Sequence, residues 1–246
     1  SPPTHATSPT LPAILALAQE RQVSGQEIIS AFVKGCELQG HIRLASHQYI
    51  PGEFTVHPPS SVGLMGSAAA SAHILGLSQE QLQHALGITA SRAGGLMANV
   101  GTMAKATHCG WAAMSGLDAA LLASRGFTGN ATIFEAPNGY VEHFFGEQFN
   151  HDELLRVGHS YRMVDPGFVI KMFPCQYGTH FGILAGLDLH KQISNPDLIA
   201  SVHIISPLMP YVDRPAPKSG LNGKFSFQYT VAAALLDGSV TIPTFS

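Results

Sequence analysis

Small side chains dominate the segments of this 246-residue sequence that have helical periodicity. Residues 63–75 contain a run of alanine and serine, and residues 110–125 carry an apolar face among alanine, serine and glycine. Gly76 and Gly126 follow these two segments, where the C-terminus of a helix favours a left-handed residue. Because small side chains let helix backbones approach closely, the first two-thirds of the chain is predicted to form a compact helical bundle.

Two short patterns mark further helix starts. Ser24 precedes Glu27, and Ser78 precedes Gln81, by the three positions that a capping box requires. Apolar residues at helical spacing follow both patterns. The helices predicted in this part of the chain cover residues 11–22, 28–38, 63–75, 82–89 and 110–125.

The sequence pattern changes after about Asp165-Pro166-Gly167. Apolar and β-branched runs predict strands at residues 169–173, 199–206 and 240–245. Helices are predicted at residues 179–191 and 225–236. This alternation indicates an α+β layer. The predicted fold class is mainly α, with a large all-helical domain at residues 1–165 and part of a smaller α/β domain at residues 166–246.

The charge content restricts the classes of function. Charged residues make up 12% of the chain, compared with about 25% in an average soluble protein. The 13 basic and 16 acidic residues give a net charge of −3, which excludes a strongly basic nucleic-acid binder. A surface so poor in charge is expected to be covered in part by a partner subunit.

The sequence predicts neither a membrane-spanning nor a secreted protein. It lacks a window of about 18 consecutive apolar residues, and its start does not combine a basic segment with an apolar core. The three cysteines, Cys36, Cys109 and Cys175, are far apart. This pattern is typical of a reducing compartment, so we expect a cytoplasmic protein, or a mitochondrial one in a eukaryote.

Histidine is unusually frequent, with 13 residues. His5, His57 and His108 lie in polar or proline-flanked segments that we expect to be turns, and His180 lies at the predicted start of a helix. Loops on a rigid scaffold are where catalytic groups concentrate. Lys105 adds a basic side chain three residues before His108 in a chain that is poor in lysine.

Three interpretations of the histidines are open. Surface or helix-capping roles are expected for His84, His151, His159 and His190. A zinc site is the second interpretation, although the sequence has no H-E-x-x-H, C-x-x-C or H-x-H pattern. The third is cofactor-free acid–base catalysis by His, Lys and Tyr, which Lys105 favours. A Cys175–His180 nucleophile pair fits the spacing but lacks an orienting group, so a buried thiol is expected there.

An ordered series of motifs resembles the MmgE/PrpD family across almost the whole chain. Each motif is weak alone, whereas the set in this order is specific. The motifs are H-P-P-S-S-V-G at 57–63, G-S-A-A-A at 66–70, L-G-L at 75–77, G-T-M-A-K-A-T-H-C-G-W-A-A at 101–113, L-L-A-S-R-G-F-T-G at 121–129, F-P-C at 173–175 with T-H at 179–180, G-K-F-S-F-Q-Y at 223–229 and L-L-D-G at 235–238.

The resemblance implies a lyase that uses no metal and no organic cofactor. The family contains 2-methylcitrate dehydratase, cis-aconitate decarboxylase and an epimerase, and its members form homodimers of a large helical domain with a smaller α/β lid domain. The implied substrate is a small di- or tricarboxylate. Neither a nucleic acid nor a membrane is expected as a partner.

The resemblance also implies the residues of the site. The implied catalytic residues are His57, His180, Lys105 and Tyr229. The implied substrate-binding residues are His5, Thr4, His108 and Lys105. In this scheme His57 and His180 exchange protons with the substrate, Lys105 and His5 hold its carboxylates, and Tyr229 donates from the lid.

The motif His57-Pro58-Pro59-Ser60 is more similar to the decarboxylase branch of the family. A lyase similar to cis-aconitate decarboxylase is therefore expected, with a hydro-lyase similar to 2-methylcitrate dehydratase as the alternative. Family members are longer at both ends, so we expect the chain to be a fragment in which both domains are incomplete, and its own activity is open. A catalytically inactive structural homologue and a zinc-binding module are the alternatives that are not enzymes.

Overall fold

A computed structural model describes residues 4–49 and 55–246 of the chain. The chain forms two compact units, Ser1–Phe168 and Val169–Ser246. The α-helices of the first unit are α1 (Thr7–Glu20), α2 (Gly25–Ala45), α3 (Pro58–Ser61), α4 (Gly63–Leu75), α5 (Gln79–Ala90), α6 (Ala104–Ser124) and α7 (Tyr140–Phe144). Those of the second unit are α8 (His180–His190), α9 (Gly220–Gly223) and α10 (Phe227–Asp237).

Local signals fix several helix ends as predicted. At the start of α2 the Ser24 side chain accepts a hydrogen bond from the Glu27 N–H, and the Glu27 carboxylate accepts one from the Ser24 N–H at 2.9 Å. The same reciprocal pair opens α5. Gly76 and Gly126 have φ angles of 65° and 85°, in the left-handed region. The capping boxes and the glycine stops are therefore confirmed.

Close backbone contact organises the first unit around α4, which packs against α1, α2, α5 and α6. A Cβ atom on Gly35 of α2 would lie 2.6 Å from the carbonyl oxygen of Gly66 in α4. A Cβ atom on Gly116 of α6 would lie 2.5 Å from the carbonyl oxygen of Leu64. Because any larger residue would clash there, these helices depend on the small residues that the sequence provides.

Aromatic side chains close one side of this core. Tyr140, Phe145 and Phe149 are buried and pack in one cluster with Met65. The rings of Tyr140 and Phe145 meet edge to face, with centroids 5.4 Å apart, a geometry that adds about 1 kcal/mol to simple burial. The Tyr140 hydroxyl donates to the carbonyl oxygen of Ser61. The segment after α6 is thereby fixed to the end of α3.

The mainly α fold class is confirmed, but the three predicted strands are wrong. The structure describes residues 169–173, 199–206 and 240–245 in full and gives none of them a strand, and Ile242–Phe245 is a 3₁₀ turn. A strand requires a neighbouring strand that pairs with its backbone. The side chain of Ile205 is 98% exposed, so this β-branched run is not packed in a sheet. Among the described residues, Val56 and Leu96 form an isolated bridge outside any strand.

Helix α6 begins earlier than predicted, at Ala104 instead of residue 110. Lys105 and His108 therefore lie on a helix, and the prediction of a turn for His108 is wrong. Gly110 is the residue that suggested a break, but the alanines around it have the highest helix propensity and carry the helix through. In the part of the chain that the structure describes, no helix is long and apolar enough to span a membrane.

Candidate active site

His57 lies where a loop meets the short helix α3. It is the N-cap residue, with extended backbone, and Pro58 and Pro59 occupy the first helical positions, where the fixed φ and missing N–H of proline are tolerated. The His57 N–H donates to the Gly95 carbonyl at 2.7 Å, and the His57 carbonyl accepts from the Ser60 N–H at 2.8 Å. The backbone is thus held on both sides, and the residue is 6% exposed.

Helix α6 supplies the next two basic side chains. Lys105 and His108 are three residues apart, so they lie on the same face of the helix. His108 is 8% exposed, whereas Lys105 is half-buried. Because α3 packs against α6, this face meets the residue at the start of α3.

His5 reaches the same region from the segment before α1. Its side chain is exposed, and its carbonyl accepts from the Ser8 N–H at 3.2 Å. The next carbonyl, of Ala6, accepts from the Thr10 hydroxyl at 2.8 Å and from the fully buried Gln39 amide at 3.2 Å. The start of α1 is therefore anchored to α2 immediately after His5.

Thr4 lies at the edge of the described residues. Its Oγ1 atom is buried, and it makes no hydrogen bond to any residue that the structure describes. A buried hydroxyl without a partner is costly. Among the residues that the structure describes, Thr4 is therefore a neighbour of His5 whose hydroxyl has no hydrogen-bond partner.

The structure brings four of the predicted site residues together. The Nδ1 atoms of His57 and His108 are 3.1 Å apart, and their ring centroids are 5.2 Å apart. The rings of His5 and His57 have centroids 6.2 Å apart. Lys105 is close enough to both His57 and His108 to affect their charge. Three separate segments of the chain thus place basic groups at one point in the first unit.

The environment of this cluster disfavours extra protons. Burial lowers the pKa of His57 to about 3, and the neighbouring basic groups Lys105, His108 and His5 act in the same direction. Burial, followed by Lys105, also lowers the pKa of His108. Both imidazoles are therefore neutral at pH 7 in the ligand-free site. An anion bound beside the two histidines offsets the neighbouring positive charge and raises both pKa values.

Gly95 and Ser60 border the histidine pair, and the sequence analysis missed both. A Cβ atom on Gly95 would lie 2.4 Å from Ser60 Oγ and 3.3 Å from His108 Cγ. Gly95 also has a φ angle of 88°, which side chains rarely adopt. The dipeptide Gly94-Gly95 was the available signal, because adjacent glycines mark backbone that needs unusual freedom.

His180 lies in the second unit, at the start of α8, and is 5% exposed. Its ring packs against Phe173 and Tyr177, with centroids 5.2 Å away in each case. Burial, followed by the charge of Lys171, lowers its pKa. Its Nε2 atom is buried and makes no hydrogen bond to the described residues.

Tyr229 also belongs to the second unit, in the first turn of α10. Its N–H donates to Ser226 Oγ, and its hydroxyl donates to the carbonyl oxygen of Thr244. The ring contacts Phe245 with centroids 6.0 Å apart. The tyrosine hydroxyl therefore holds the 3₁₀ turn Ile242–Phe245.

Burial also acts on two of the cysteine thiols. Burial raises the pKa of Cys175, whose Sγ lies 3.2 Å from Thr179 Oγ1. Burial also raises the pKa of Cys109, next to His108. The described residues contain no group of three or more His, Cys, Asp or Glu side chains placed to hold a metal ion.

Family models match both parts of the chain in order. The MmgE/PrpD N-terminal domain matches residues 1–152, and the MmgE/PrpD C-terminal domain matches residues 173–246. The chain belongs to the MmgE/PrpD family. The histidine and lysine cluster lies in the part that matches the N-terminal domain, and His180 and Tyr229 lie in the part that matches the C-terminal domain.

Curated relatives of this MmgE/PrpD chain carry the name cis-aconitate decarboxylase. The protein of Mus musculus is 35% identical over 257 residues, which cover 99% of the chain and 52% of the relative. The protein of Homo sapiens is 34% identical, with 99% and 53% covered. A cis-aconitate decarboxylase-like protein of Aspergillus oryzae is 27% identical, with 99% and 55% covered. The chain thus spans about half the length of these relatives.

Proposed function

We propose that this MmgE/PrpD chain forms part of a lyase that decarboxylates a small tricarboxylate of the cis-aconitate type. The observation that carries the proposal is the convergence of His5, His57, Lys105 and His108 in the first unit. Such a cluster attracts a polyanion and contains groups that exchange protons near neutral pH. The names of the relatives supply the substrate class.

The positive groups have a defined task in this reaction. When a carboxylate leaves as CO₂, its bonding electron pair stays on the organic fragment, which must then gain a proton. A cation paired with the departing carboxylate stabilises the ground state and slows this step, whereas a cation paired with a remaining carboxylate stabilises the developing charge. We assign the latter task to Lys105 and His5, together with Thr4 and His108 as further substrate contacts.

Proton transfer is assigned to His57 and His180, with Tyr229 as an additional donor once its hydroxyl leaves the Thr244 carbonyl. Burial keeps the pKa values of both histidines low, so each is neutral until an anion is nearby. A positioned proton donor contributes a factor of about 10²–10⁴ in rate.

The proposal includes two domains, at residues 1–165 and 166–246, a homodimer, and independence from metal and organic cofactors. Mass measurement in solution and turnover after chelation test the last two.

The first experiment incubates the protein at its full natural length with cis-aconitate and, separately, with 2-methylcitrate, and follows the products by proton NMR. Vinyl signals of itaconate together with CO₂ release support the decarboxylase. A methylaconitate product establishes the dehydratase instead. If neither compound changes, the proposed reaction is wrong.

Variants connect the reaction to the cluster. Lys105→Ala and His57→Ala are expected to lower turnover by about a hundredfold or more. Lys34→Ala is the matched control, because Lys34 lies on α2 and contacts His73 outside the cluster. Unchanged turnover in both cluster variants would contradict the assignment.

A further inference from the structure

We infer that Ser60 is a further substrate-binding residue, whose hydroxyl donates a hydrogen bond to a carboxylate of the anion bound at the histidine and lysine cluster. The inference rests on the proposed function for the presence of a tricarboxylate at that cluster. It adds an uncharged donor from α3 to the residues already assigned there.

The Ser60 hydroxyl has an unmet hydrogen bond in the ligand-free protein. The residue is 7% exposed, and its Oγ atom is buried without a hydrogen-bond partner among the residues that the structure describes. Its backbone N–H, in contrast, donates to the His57 carbonyl at 2.8 Å. A buried hydroxyl without a partner costs free energy, so its presence in a native protein requires an explanation, and a bound ligand is one.

The position of Ser60 connects this unmet bond to the cluster. Ser60 follows His57 by three residues, within the single turn of α3. Gly95 contacts all three residues of this region, because its carbonyl accepts from the His57 N–H, and a Cβ atom on it would clash with Ser60 Oγ and lie 3.3 Å from His108 Cγ. The unpaired hydroxyl thus lies against the same backbone residue that touches both histidines.

Access to Ser60 makes no demand beyond that of the proposed function. Ser60 is buried to the same degree as His57 and His108, so a ligand that reaches these two histidines reaches the depth of the hydroxyl. Gly95 covers the hydroxyl, and the neighbouring Gly94 borders open space, since nothing lies within 4 Å of its Cβ position. The cover is therefore a glycine pair at the edge of the packed region.

A carboxylate is the partner that this hydroxyl fits. An ionised carboxylate accepts hydrogen bonds and donates none, and its two oxygens offer about four acceptor sites. The three carboxylates of a tricarboxylate therefore call for many donors, of which the basic side chains supply only a part. A hydroxyl adds a donor without adding charge beside His57, whose pKa is already lowered by burial and by Lys105.

The test compares affinity for an anion with stability in its absence. The protein at its full natural length is titrated with tricarballylate by calorimetry, and its melting temperature is measured without ligand. Ser60→Ala is expected to weaken binding about tenfold or more, because a hydrogen bond to a charged group is lost. Its ligand-free melting temperature is expected to equal or exceed that of the wild type, because an unpaired hydroxyl has no bond to lose.

Two serines of α4 are the matched controls. Ser71 Oγ is buried and has no partner among the described residues, whereas the buried Ser67 Oγ donates to the Ala113 carbonyl at 2.7 Å. Ser71→Ala is expected to keep the wild-type affinity without loss of stability. Ser67→Ala is expected to keep the affinity but to lower the melting temperature, since a buried hydrogen bond is removed.

The outcomes separate this inference from the proposed function. Wild-type affinity in Ser60→Ala, an equal loss of affinity in Ser71→Ala, or a melting temperature of Ser60→Ala as low as that of Ser67→Ala overturns the inference. If the wild type binds no tricarballylate, the cluster is not an anion site and both proposals are wrong. Because binding is measured without turnover, a protein that binds tricarballylate but leaves cis-aconitate unchanged contradicts the proposed reaction alone.

Discussion

His41 Nδ1 lies 2.9 Å from the Oε1 atom of Glu153, and both residues are buried. The other ring nitrogen, Nε2, lies 3.1 Å from the carbonyl oxygen of Ser160 and 3.6 Å from Glu37 Oε2. Both ring nitrogens of the buried His41 are therefore occupied by neighbours in this unit, a carboxylate oxygen at Nδ1 and a backbone carbonyl at Nε2. This contact fixes the segment after α7 to α2.

Removal of Glu153 should leave the buried Nδ1 atom of His41 without its hydrogen-bond partner. Glu153→Leu is expected to lower the free energy of unfolding by about 1–3 kcal/mol, measured by urea denaturation. Glu147→Leu is the control, because Glu147 is exposed in the same region, and it should change stability by less than about 0.5 kcal/mol. Equal effects of the two substitutions would refute a stabilising role for the contact between His41 and Glu153.

His57 should make the protein sensitive to acid. An unfolded histidine gains a proton near pH 6.5, whereas folded His57 resists protonation until about pH 3. Between these two pH values the unfolded state thus binds more protons than the folded state. The free energy of unfolding therefore has its full value above about pH 6.5 and falls by about 1.4 kcal/mol per pH unit on acidification below it. Denaturation curves from neutral pH to about pH 4 should show a shallower decline in His57→Gln. The exposed His151, changed to Gln, should retain the wild-type slope.

Gly95 should tolerate no side chain. A Cβ atom would meet Ser60 Oγ at 2.4 Å, and the φ angle of 88° is unfavourable for any other residue. Gly95→Ala is expected to cost about 1–3 kcal/mol of stability and to lower turnover by displacing His108. Gly94→Ala is the matched control, because nothing lies within 4 Å of its Cβ position. Thermal denaturation and the product assay compare the two, and a neutral Gly95→Ala contradicts the described packing.

Anion binding should be accompanied by proton uptake. Burial and neighbouring positive charge lower the pKa values of His57 and His108. A bound tricarboxylate brings negative charge and therefore raises both pKa values. Titration calorimetry with tricarballylate, in buffers of different ionisation enthalpy at neutral pH, should show that the protein takes up about one proton. Heats that do not depend on the buffer would show that the ligand binds without charging the pair.

Much of the helical framework could be predicted because its signals are local. The reciprocal bonds between Ser24 and Glu27 involve residues three apart, and Gly76 ends α4 through its own backbone preference. The ordered motifs likewise indicated the family, since they are read from the sequence alone. The strand predicted at 199–206 is wrong, because a strand depends on a pairing partner that local sequence does not reveal.

The candidate site likewise combines features that local sequence predicts with features that depend on contacts between distant residues. The sequence alone predicts His5, His57, Lys105 and His108 as site residues, because residue type and motif are local properties. The tertiary structure decided that His57 and His108, which are 51 positions apart, bring their Nδ1 atoms to 3.1 Å, that Gly95 contacts both, and that α6 extends back to Ala104. These relationships depend on how α3 packs against α6, and packing is set by the shape and volume of the whole core.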